Sequence, residues 1–410
     1  MKFDVLVLGA GIVGVSVAIH LQRRGLKVAL VDRKAPGSET SFGNAGLIQR
    51  DGVYPYAFPR DVVSLLRYAS NQAPDVRYHV AAVPQLLPFL YRYWRWSRAD
   101  RHAAIAKVYA PLIQRSVGEH RALIDSAGAA HLLRTGGWLK VFRSGNKLEA
   151  EARTVERLHA EFDVRYEVLG AAELRAAEPF LSNGLTGAVR YTNSCSITDP
   201  NALVMAYAGL FKQLGGRIFL GDANTLKQNW AVETQEGTLE ARSAVVAMGP
   251  WSDTITAQLG YRLPLAVKRG YHMHYAAEPG ARLNQPVLDV EKGYLMAPMA
   301  RGIRLTTGVE LGLRDTGATP AQLEAVEPVA RGTFPLGERL DDTPWLGRRP
   351  CTPDMLPIIG PAPRHKDLWF AFGHAHHGLT LGPVTGSLLA EMMTGEKTLV
   401  DPYPFRVDRF

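Results

Sequence analysis

The chain has 410 residues, of which 46% are hydrophobic and 21% are charged, a composition that excludes a disordered or fibrous protein. Because 410 residues exceed what one hydrophobic core usually spans, two domains are expected. Lys and Arg outnumber Asp and Glu by 47 to 39, a formal net charge of +8 that suits anionic partners such as acidic lipids; without a lysine-rich tail or nucleic-acid motif, nucleic acid is not an expected partner.

Cysteine content and hydropathy bear on where the protein works. Cys195 and Cys351 are far apart and belong to no C-x-x-C pair, and the N-terminus enters an apolar strand pattern directly. These features predict a reducing, cytoplasmic location. No uncharged apolar stretch reaches the roughly 18 residues that a membrane-spanning helix needs, so we expect a chain that does not cross a membrane.

The first predicted elements are a strand, a glycine-rich turn and a helix. Residues 5–8 form an unbroken apolar run, typical of a strand buried on both faces, and G-x-G-x-x-G follows with Gly9, Gly11 and Gly14. In a dinucleotide site the first glycine permits a tight turn, the second lets a pyrophosphate approach the backbone, and the third lets the helix lie close to the sheet. Free N–H groups at the helix start then bind the phosphates.

A second apolar strand at 28–31 ends in Asp32, 18 residues after Gly14. That spacing is close to the roughly 20 residues expected for a carboxylate that hydrogen-bonds an adenosine ribose. A lone glycine motif is a weak signal, and the alternative is a chance turn in an ordinary α/β domain. The full order of elements favours dinucleotide binding, without distinguishing FAD from NAD.

The next stretch, 33–59, has only weak periodicity and contains T-S-F-G-N-A-G at 40–46. Long segments without regular structure are usually functional, and Gly43 and Gly46 let the backbone press against a flat ligand. We expect this segment to cover the cofactor; the alternative is a solvated connection.

An amphipathic helix is predicted at 84–98. The apolar residues on one face are Leu87, Leu90, Tyr91 and Trp94, and the arginines at every third position are Arg92, Arg95 and Arg98. Two interpretations stay open: the apolar face lies in a lipid interface, or it packs on a core with a solvated arginine side, which is the commoner arrangement.

The remaining patterns are mixed. Helices are predicted at 105–127, 147–162 and 199–214, with Asp199 as N-cap, and buried or alternating strands at 138–142, 186–191, 244–248, 271–275, 294–299 and 303–309. The alternation within 261–340 indicates a sheet with one open face, a natural floor for a substrate pocket. A last helix is predicted at 383–393, after a glycine-rich turn.

Several motifs together resemble the D-amino acid oxidase superfamily of flavoproteins, most closely its bacterial D-amino acid dehydrogenase branch, over nearly the full chain. They are the N-terminal fingerprint, T-S-x-x-N-A-G at 40–46, the turn at 245–251, G-R-R-P-x-T-P-D at 347–354 with P-I-I-G at 357–360, and G-H-x-x-x-G-L-T-x-G at 373–382. The resemblance implies noncovalent FAD and an α/β, two-domain flavoprotein: a Rossmann-like FAD-binding domain (1–60, 195–262, 343–410) with an inserted mixed-sheet substrate domain (61–194, 263–342).

The residues expected at the FAD follow from these motifs. They are Gly9, Gly11, Ile12, Val13, Gly14, Asp32, Arg33, Thr40, Ser41, Asn44, Ala45, Gly46, Leu47, Gly249, Trp251, Gly347, Gly378, Leu379 and Thr380. A helix N-terminus within 379–384 would stabilise the negative charge that develops on a reduced flavin; the alternative is an ordinary glycine-led helix start.

For the substrate, the resemblance implies that Arg349 binds a carboxylate, because a planar guanidinium matches it bidentately. Tyr294 and Arg269 are further candidates at the carboxylate, and Tyr54 or Tyr56 is expected to close the pocket. His374, His376 and His377 lack a nearby Cys or acid, so we expect no metal site; one of them, His377, is taken as a candidate for the chemistry.

The resemblance implies oxidation of a D-amino acid by hydride transfer from Cα to flavin N5, giving an imino acid that water converts to a 2-oxo acid and ammonia. A membrane quinone or an acidic lipid surface is an expected partner, with peripheral attachment at the inner face of the cell membrane. The alternatives are oxidation of a secondary amine or imino acid of the sarcosine, glycine or hydroxyproline type, or a flavin-binding subunit without turnover. The oligomeric state is left open.

Overall fold

The computed structural model describes residues 1–410. Its helices are α1 (Ile12–Arg23), α2 (Val62–Ala69), α3 (Val83–Trp96), α4 (Ala99–Ser126), α5 (Gly145–Phe162), α6 (Ala171–Ala177), α7 (Pro200–Gln213), α8 (Ser252–Gln258), α9 (Ala321–Arg331) and α10 (Gly378–Thr394). Its strands are β1 (Lys2–Leu8), β2 (Val28–Asp32), β3 (Leu47–Ile48), β4 (Val76–Tyr78), β5 (Leu133–Arg134), β6 (Trp138–Phe142), β7 (Tyr166–Gly170), β8 (Gly187–Tyr191), β9 (Cys195–Ile197), β10 (Arg217–Leu220), β11 (Ala231–Thr234), β12 (Gly237–Val246), β13 (Ala266–Ala277), β14 (Val287–Asp289), β15 (Tyr294–Met299), β16 (Gly302–Thr307), β17 (Val309–Leu311), β18 (Leu336–Arg339), β19 (Trp345–Cys351), β20 (Ile358–Pro361) and β21 (Leu368–Phe372).

The first sheet has the order β10-β2-β1-β12-β21-β20, with β11 attached to β12. Strands β10, β2, β1, β12 and β21 run parallel, and the apolar run at 5–8 is buried on both faces, with α1 and α10 in the cluster on one of them. In the register, Leu8 is opposite both Val31 and Val246. The carboxyl ends of three strands therefore meet at one edge, where open α/β sheets bind ligands.

The second sheet has eleven strands in the order β4-β17-β13-β16-β15-β14-β6-β8-β7, with β18 and β19 also paired to β13. Most of its pairs are antiparallel, and the two sheets with their helices confirm the predicted α/β flavoprotein class. The expectation of one open face was wrong: all six residues of β15 are buried. Helix α9 packs on one face, and the other is closed by segments that wall a cavity.

The division of the chain into five domain segments stays a prediction. The strand pairing in the two large sheets agrees with it except at one strand. The first sheet takes its strands from 2–32, 217–246 and 358–372, and the second sheet takes most of its strands from 76–191 and 266–339. Strand β19 lies in 343–410, which was assigned to the FAD-binding domain, yet it pairs with β13 of the second sheet.

Two helices differ from expectation. Helix α2 was not predicted from the sequence, and none of its residues is buried in the core. Helix α10 begins at Gly378, five residues before Pro383. Pro383 has no N–H to donate to the carbonyl of Leu379, and that carbonyl instead accepts a 2.7 Å hydrogen bond from His120 Nε2.

None of the helices combines the length and the apolar character that crossing a bilayer requires.

Candidate active site

A cavity of about 790 Å³ lies between the two sheets. One end is walled by the glycine-rich turn and the start of α1, and the other by β13, β19 and the start of α10. Segment 37–49 and helices α2 and α3 form much of the remaining wall. The cavity thus joins the strand edge where a dinucleotide is expected to the sheet expected to bind substrate.

Two of the three fingerprint glycines are required by the fold, and the third lies where a ligand can approach the backbone. Gly9 has a φ of +107°, and a Cβ there would lie 2.5 Å from the Ala247 carbonyl oxygen. A Cβ on Gly14 would lie 1.8 Å from the Gly9 carbonyl oxygen, so this position must be glycine for α1 to start where it does. At Gly11 the nearest neighbour is Ser41 Oγ, at 3.3 Å, and the backbone lines the cavity. Gly11 is therefore the one open to a ligand, as the motif predicts.

Asp32 ends β2 at the same edge and lines the cavity. Its Oδ2 accepts a hydrogen bond from the Ala10 N–H at 2.6 Å, and its Oδ1 accepts one from the Lys34 N–H at 3.0 Å. The carboxylate consequently fixes the glycine turn while facing the cavity. Beside it the Arg33 guanidinium lies 4.4 Å from the ring centre of Trp251, and both line the cavity.

The 40–46 segment covers the start of α1. Ser41 Oγ accepts a 3.0 Å hydrogen bond from the Ile12 N–H, and Thr40 Oγ1 donates a 3.0 Å bond to the Arg348 carbonyl. Asn44 Oδ1 accepts from the Gly46 N–H at 2.9 Å, which shapes the turn. Thr40, Ser41, Asn44, Ala45 and Leu47 line the cavity, whereas Gly46 does not.

A buried polar network supports this segment from below. Arg304 donates to the carbonyl oxygens of Phe42 and Asn44, and its Nε donates to His274 Nε2 at 3.0 Å. The other nitrogen of His274 is 2.7 Å from Asp341 Oδ2. His272 lies beside them, and burial lowers its pKa to about 2. These histidines and Asp341 have metal-ligand types within reach of one another, but both ring nitrogens of His274 are already hydrogen-bonded, to Arg304 Nε and to Asp341 Oδ2.

Trp345 explains two further glycines. Its indole lies against the 40–46 segment so closely that a Cβ on Gly43 would approach it to 1.8 Å, and one on Gly347 to 2.5 Å. The same ring stacks on His272 with centroids 4.9 Å apart. Gly347, which lines the cavity as expected, is thus needed for the packing of Trp345 as well.

The start of α10 contributes Gly378 and Leu379 to the cavity wall, and Gly249 contributes from the turn after β12. Thr380 is different: its hydroxyl donates to the Leu47 carbonyl and accepts from the Gln49 N–H, both at 3.2 Å. It ties the covering segment to α10 and does not line the cavity.

These features fit FAD. The cavity is elongated; one end holds a carboxylate suited to a ribose and a helix start suited to phosphates, and the Cβ test leaves Gly11 open. The residues that would hold FAD are the predicted ones that line the cavity. Gly14, Gly46 and Thr380 are predicted positions that instead shape the backbone around it.

Arg349 lies at the other end of the cavity, on β19. Its Nη1 donates to the carbonyl oxygens of Arg269 and Gly308, at 3.3 and 3.2 Å. The guanidinium lies across Gly270, where a Cβ would come within 2.7 Å of Nη1. Burial lowers the pKa of the Arg349 guanidinium, and no carboxylate of the chain pairs with it. The structure therefore places an uncompensated cation where the sequence predicts a substrate carboxylate.

Four other cavity residues surround Arg349, and the sequence did not single out Lys268 or Tyr93. Lys268 is 5% exposed, and its Nζ donates to Tyr93 Oη at 2.9 Å. Tyr93 Oη in turn donates to the Tyr56 carbonyl at 2.6 Å. The ring of Tyr56 lies 4.6 Å from that of His376, whose pKa is held well below its ordinary value by burial and by the Arg349 and Lys268 charges. His376 is therefore neutral.

Of the remaining site candidates, Tyr294 lines the cavity, whereas Arg269, Tyr54 and His377 do not. Arg269 is fully buried against Glu310, Nε to Oε1 2.8 Å, and donates to the carbonyls of Thr316 and Gly317. It is on the opposite face of β13 from Lys268, because successive strand residues alternate. Arg269 forms a buried ion pair with Glu310 and is not among the cavity-lining residues, so the geometry gives its predicted role at the substrate carboxylate no support.

The other predicted site residues, two tyrosines and a histidine, have their polar groups or rings in contact with other side chains. The Tyr294 hydroxyl donates to Thr333 Oγ1 at 2.8 Å, with a pKa raised to about 12 by burial. Tyr54 packs on His102 and Phe162 outside the cavity wall. His377 Nδ1 is 2.9 Å from Tyr109 Oη, and burial lowers its pKa to about 4. Among the three histidines of the glycine-rich turn, the ring near Arg349 is that of His376.

Comparison with known proteins agrees with this geometry. Residues 4–392 match the family model described as DAO, FAD dependent oxidoreductase. The chain is 31% identical to a D-amino-acid oxidase of Bradyrhizobium diazoefficiens, covering 99% of this chain and 98% of that protein, and 32% identical to a D-amino acid dehydrogenase of Cereibacter sphaeroides, covering 99% and 95%. Its fold is similar to glycine oxidase from Geobacillus kaustophilus, with a TM-score of 0.75, 20% identity, and coverage of 100% and 99%. The chain belongs to the DAO family of FAD-dependent oxidoreductases.

Proposed function

We propose that this enzyme oxidises a D-amino acid to the imino acid, which water converts to a 2-oxo acid and ammonia, and that its electrons pass to an acceptor other than oxygen. The observation that carries the proposal is Arg349, a cavity-lining guanidinium without a carboxylate partner, at the far end of a cavity that fits FAD. The names of the relatives from Bradyrhizobium and Cereibacter support the substrate class.

Arg349 binds the substrate carboxylate and thereby fixes the position of Cα. Two backbone carbonyls hold the guanidinium over Gly270, so its donors are oriented before substrate arrives, which lowers the entropic cost of alignment. FAD, when bound, supplies the two-electron oxidation at Cα. The positive end of α10, at Gly378 and Leu379, favours negative charge that develops beside it.

His376 and Tyr56 shape the rest of this end. The neutral imidazole offers a hydrogen-bond partner to the substrate nitrogen without adding a third positive charge. The Tyr56 ring covers His376 from the solvent side, being 52% exposed. Tyr93 donates to the Tyr56 carbonyl and accepts a hydrogen bond from Lys268. The Tyr56 segment is therefore linked to β13, the strand that pairs with the Arg349 strand.

The direct test is anaerobic loss of the yellow flavin absorbance with a substrate panel. We expect bleaching by at least one D-amino acid and not by its L-enantiomer, since carboxylate, nitrogen and Cα–H are fixed by three separate contacts. Glycine, sarcosine and hydroxyproline belong in the panel; bleaching by these alone would replace the proposed substrate with a secondary amine or glycine. No bleaching by any of them would leave a flavin protein without this turnover.

The outer surface of α2 and α3, called the α2–α3 face, supports the proposed electron acceptor. On α3 the buried residues are Leu86, Phe89 and Tyr93, so most of the apolar stripe read from the sequence is turned outward, while Leu90 lines the cavity. The exposed apolar side chains are Leu87 (55%), Tyr91 (60%), Val62 (69%), Val63 (79%) and Leu66 (68%). The inner sides of both helices line the cavity. The face therefore covers the cavity and presents unpartnered apolar surface.

Exposed arginines make this face suited to anionic lipid. Arg92 and Arg95 have no carboxylate partner, and Arg95 lies 5.9 Å from the Tyr91 ring centre. Arg60 stacks on Trp94 at 4.0 Å, whereas Arg98 is already paired with Asp100. Apolar side chains ringed by arginines bind at the headgroup boundary of an acidic bilayer, where a membrane quinone is the available electron acceptor.

Replacing Arg92 and Arg95 together with glutamate is expected to reduce binding to vesicles containing acidic phospholipid by at least tenfold, because each basic residue near the surface contributes about 1 kcal/mol. Co-sedimentation at low and high salt measures the effect. The matched control is Arg242→Glu, an exposed arginine on β12 of the first sheet, which should bind like the wild type.

The acceptor itself is measured by turnover in air with and without a quinone analogue. We expect quinone-dependent turnover to exceed peroxide formation greatly. Stoichiometric peroxide at a comparable rate would make the protein an oxidase, and vesicle binding indifferent to salt and to the two substitutions would leave the α2–α3 face without a role at lipid.

A further inference from the structure

Lys268 is a second cation beside the predicted carboxylate anchor. In the antiparallel pair of β13 and β19, Lys268 is directly opposite Arg349, so both side chains project from the same face of the sheet, with Cβ atoms about 4.5–5.5 Å apart. Both line the cavity. Like charges directly opposite each other destabilise a sheet, and a buried ammonium without a counter-ion is costly. The fold retains both nonetheless.

No carboxylate of the chain compensates this pair. The Lys268 ammonium contacts Tyr93 Oη at 2.9 Å and Met355 Sδ at 3.8 Å, and Arg349 donates to two backbone carbonyls. The nearest histidine, His376, is neutral. An ammonium has three donors; Tyr93 Oη and Met355 Sδ take two of them, so one remains for a ligand.

One substrate carboxylate neutralises only one of the two cations. We propose that Lys268 binds a second carboxylate, and that the substrate is a dicarboxylic D-amino acid of the aspartate or glutamate type, with its α-carboxylate on Arg349 and its side-chain carboxylate on Lys268. This inference rests on the proposed function, whose substrate class it narrows. Side chains that start roughly 5 Å apart match carboxylates joined by a short carbon chain.

Binding of a substrate carboxylate by Lys268 can be distinguished from a purely structural role in holding Tyr93. Gly270, two residues from Lys268 on the same face of β13, leaves room for the Arg349 guanidinium, and Lys268 lines the same cavity. A lysine needed only to hold Tyr93 would act on every substrate alike. A lysine that pairs with a substrate carboxylate acts through the difference between charged and neutral substrate side chains.

The test is the ratio of kcat/KM for D-glutamate or D-aspartate to kcat/KM for a neutral D-amino acid of similar length, such as D-norvaline. In the wild type we expect the ratio to be well above one. Lys268→Met, which keeps the length of the side chain, should lower it at least 100-fold, and Lys268→Arg should retain most of it. Tyr93→Phe removes the hydrogen bond to Lys268 but not its charge, and should change the ratio by less than about threefold.

A binding measurement separates this inference from the proposed function. Glutarate and butyrate differ by one carboxylate, and their titration against the flavin absorbance of the oxidised holoenzyme needs no turnover. We expect glutarate to bind at least tenfold more tightly than butyrate, with the advantage lost in Lys268→Met. If no amino acid bleaches the flavin but this advantage is present, the oxidation is wrong and the dianion site stands.

The inference is overturned if Lys268→Met slows all substrates equally or shifts the flavin reduction potential, because the cation then serves the fold or the cofactor. It is also overturned if the wild type prefers neutral substrates and binds both acids equally. Thermal denaturation and FAD content of each variant show whether the variant is folded.

Discussion

Arg349→Met is expected to lower kcat/KM for the bleaching D-amino acid by about 30- to 4,000-fold, the equivalent of ~2–5 kcal/mol for truncating one partner of a buried, hydrogen-bonded charge pair. Methionine keeps an unbranched apolar stem in place of the first part of the side chain but leaves the substrate carboxylate without donors. The flavin spectrum and FAD content should remain those of the wild type, because β19 contributes Arg349 to the end of the cavity away from the glycine turn. Stopped-flow reduction and steady-state kinetics measure both.

The neighbouring arginine supplies the matched control for this loss. Arg348 precedes Arg349 on β19, and its Nε donates to the Arg314 carbonyl at 2.8 Å, so Arg348→Met should cost less than about threefold. Gly270→Ala is the complementary change, since the added methyl would come within 2.7 Å of Arg349 Nη1 and displace an intact guanidinium. An Arg349→Met enzyme that keeps its activity within a fewfold would mean that another cation, with Lys268 the first to consider, binds the carboxylate.

The choice between adjacent basic residues shows where sequence reasoning ends. Lys268 and Arg269 are consecutive in a strand, so one must face the cavity and the other the opposite side. Their sequence does not say which. The pairing of β13 with two strands decides it, because Arg349 of β19 is opposite Lys268 and Glu310 of β17 is opposite Arg269. Register between distant strands depends on the whole sheet, which explains why the sequence pointed to Arg269.

Helix α3 shows the same limit: the sequence does not say which face of the helix is buried. The spacing of Leu87, Tyr91 and Trp94 defines an apolar stripe correctly, but the tertiary structure buries Leu86, Phe89 and Tyr93 instead. A helix rich in apolar residues on several sides has more than one face that can pack. The buried face is set by distant residues, since Phe89 and Tyr93 pack with Cys351 and Met355, which are not encoded near 84–98.

By contrast, the sequence predicted local features well where a single geometry dictates the residue. Strands β6 and β15 have the predicted bounds, and the Asp199 side chain caps α7 by accepting from the Ala202 N–H at 3.0 Å. The glycine turn belongs to the same class, since Gly9 has a φ of +107° and a Cβ on Gly14 would lie 1.8 Å from the Gly9 carbonyl oxygen. These signals are short in range, so no long-range register is needed to read them.

Asp32→Ala is expected to release most of the FAD, because the carboxylate has two functions in the structure. It faces the cavity where the ribose is expected, and hydrogen bonds to a charged group contribute roughly 1.5–3 kcal/mol each. It also accepts the Ala10 N–H at 2.6 Å, so its removal loosens the turn that lets Gly11 approach the phosphates. Each lost ribose bond alone would raise the dissociation constant of FAD by about 10- to 150-fold. FAD content after gel filtration and fluorescence titration of the apoprotein measure the change.

Asp4 separates the cofactor effect from a loss of fold. Its Oδ2 accepts the Lys27 N–H at 2.8 Å, so it joins β1 to the start of β2 much as Asp32 joins β2 to the glycine turn, but it lies at the other end of β1, outside the cavity. Asp4→Ala should therefore lower the melting temperature without changing the affinity for FAD, whereas Asp32→Ala should change the affinity even at temperatures where the protein is folded. Equal dissociation constants for Asp32→Ala and the wild type, or a colourless wild type that fails to take up added FAD, would contradict the assignment of this carboxylate, because the cavity edge would then hold its ligand without it.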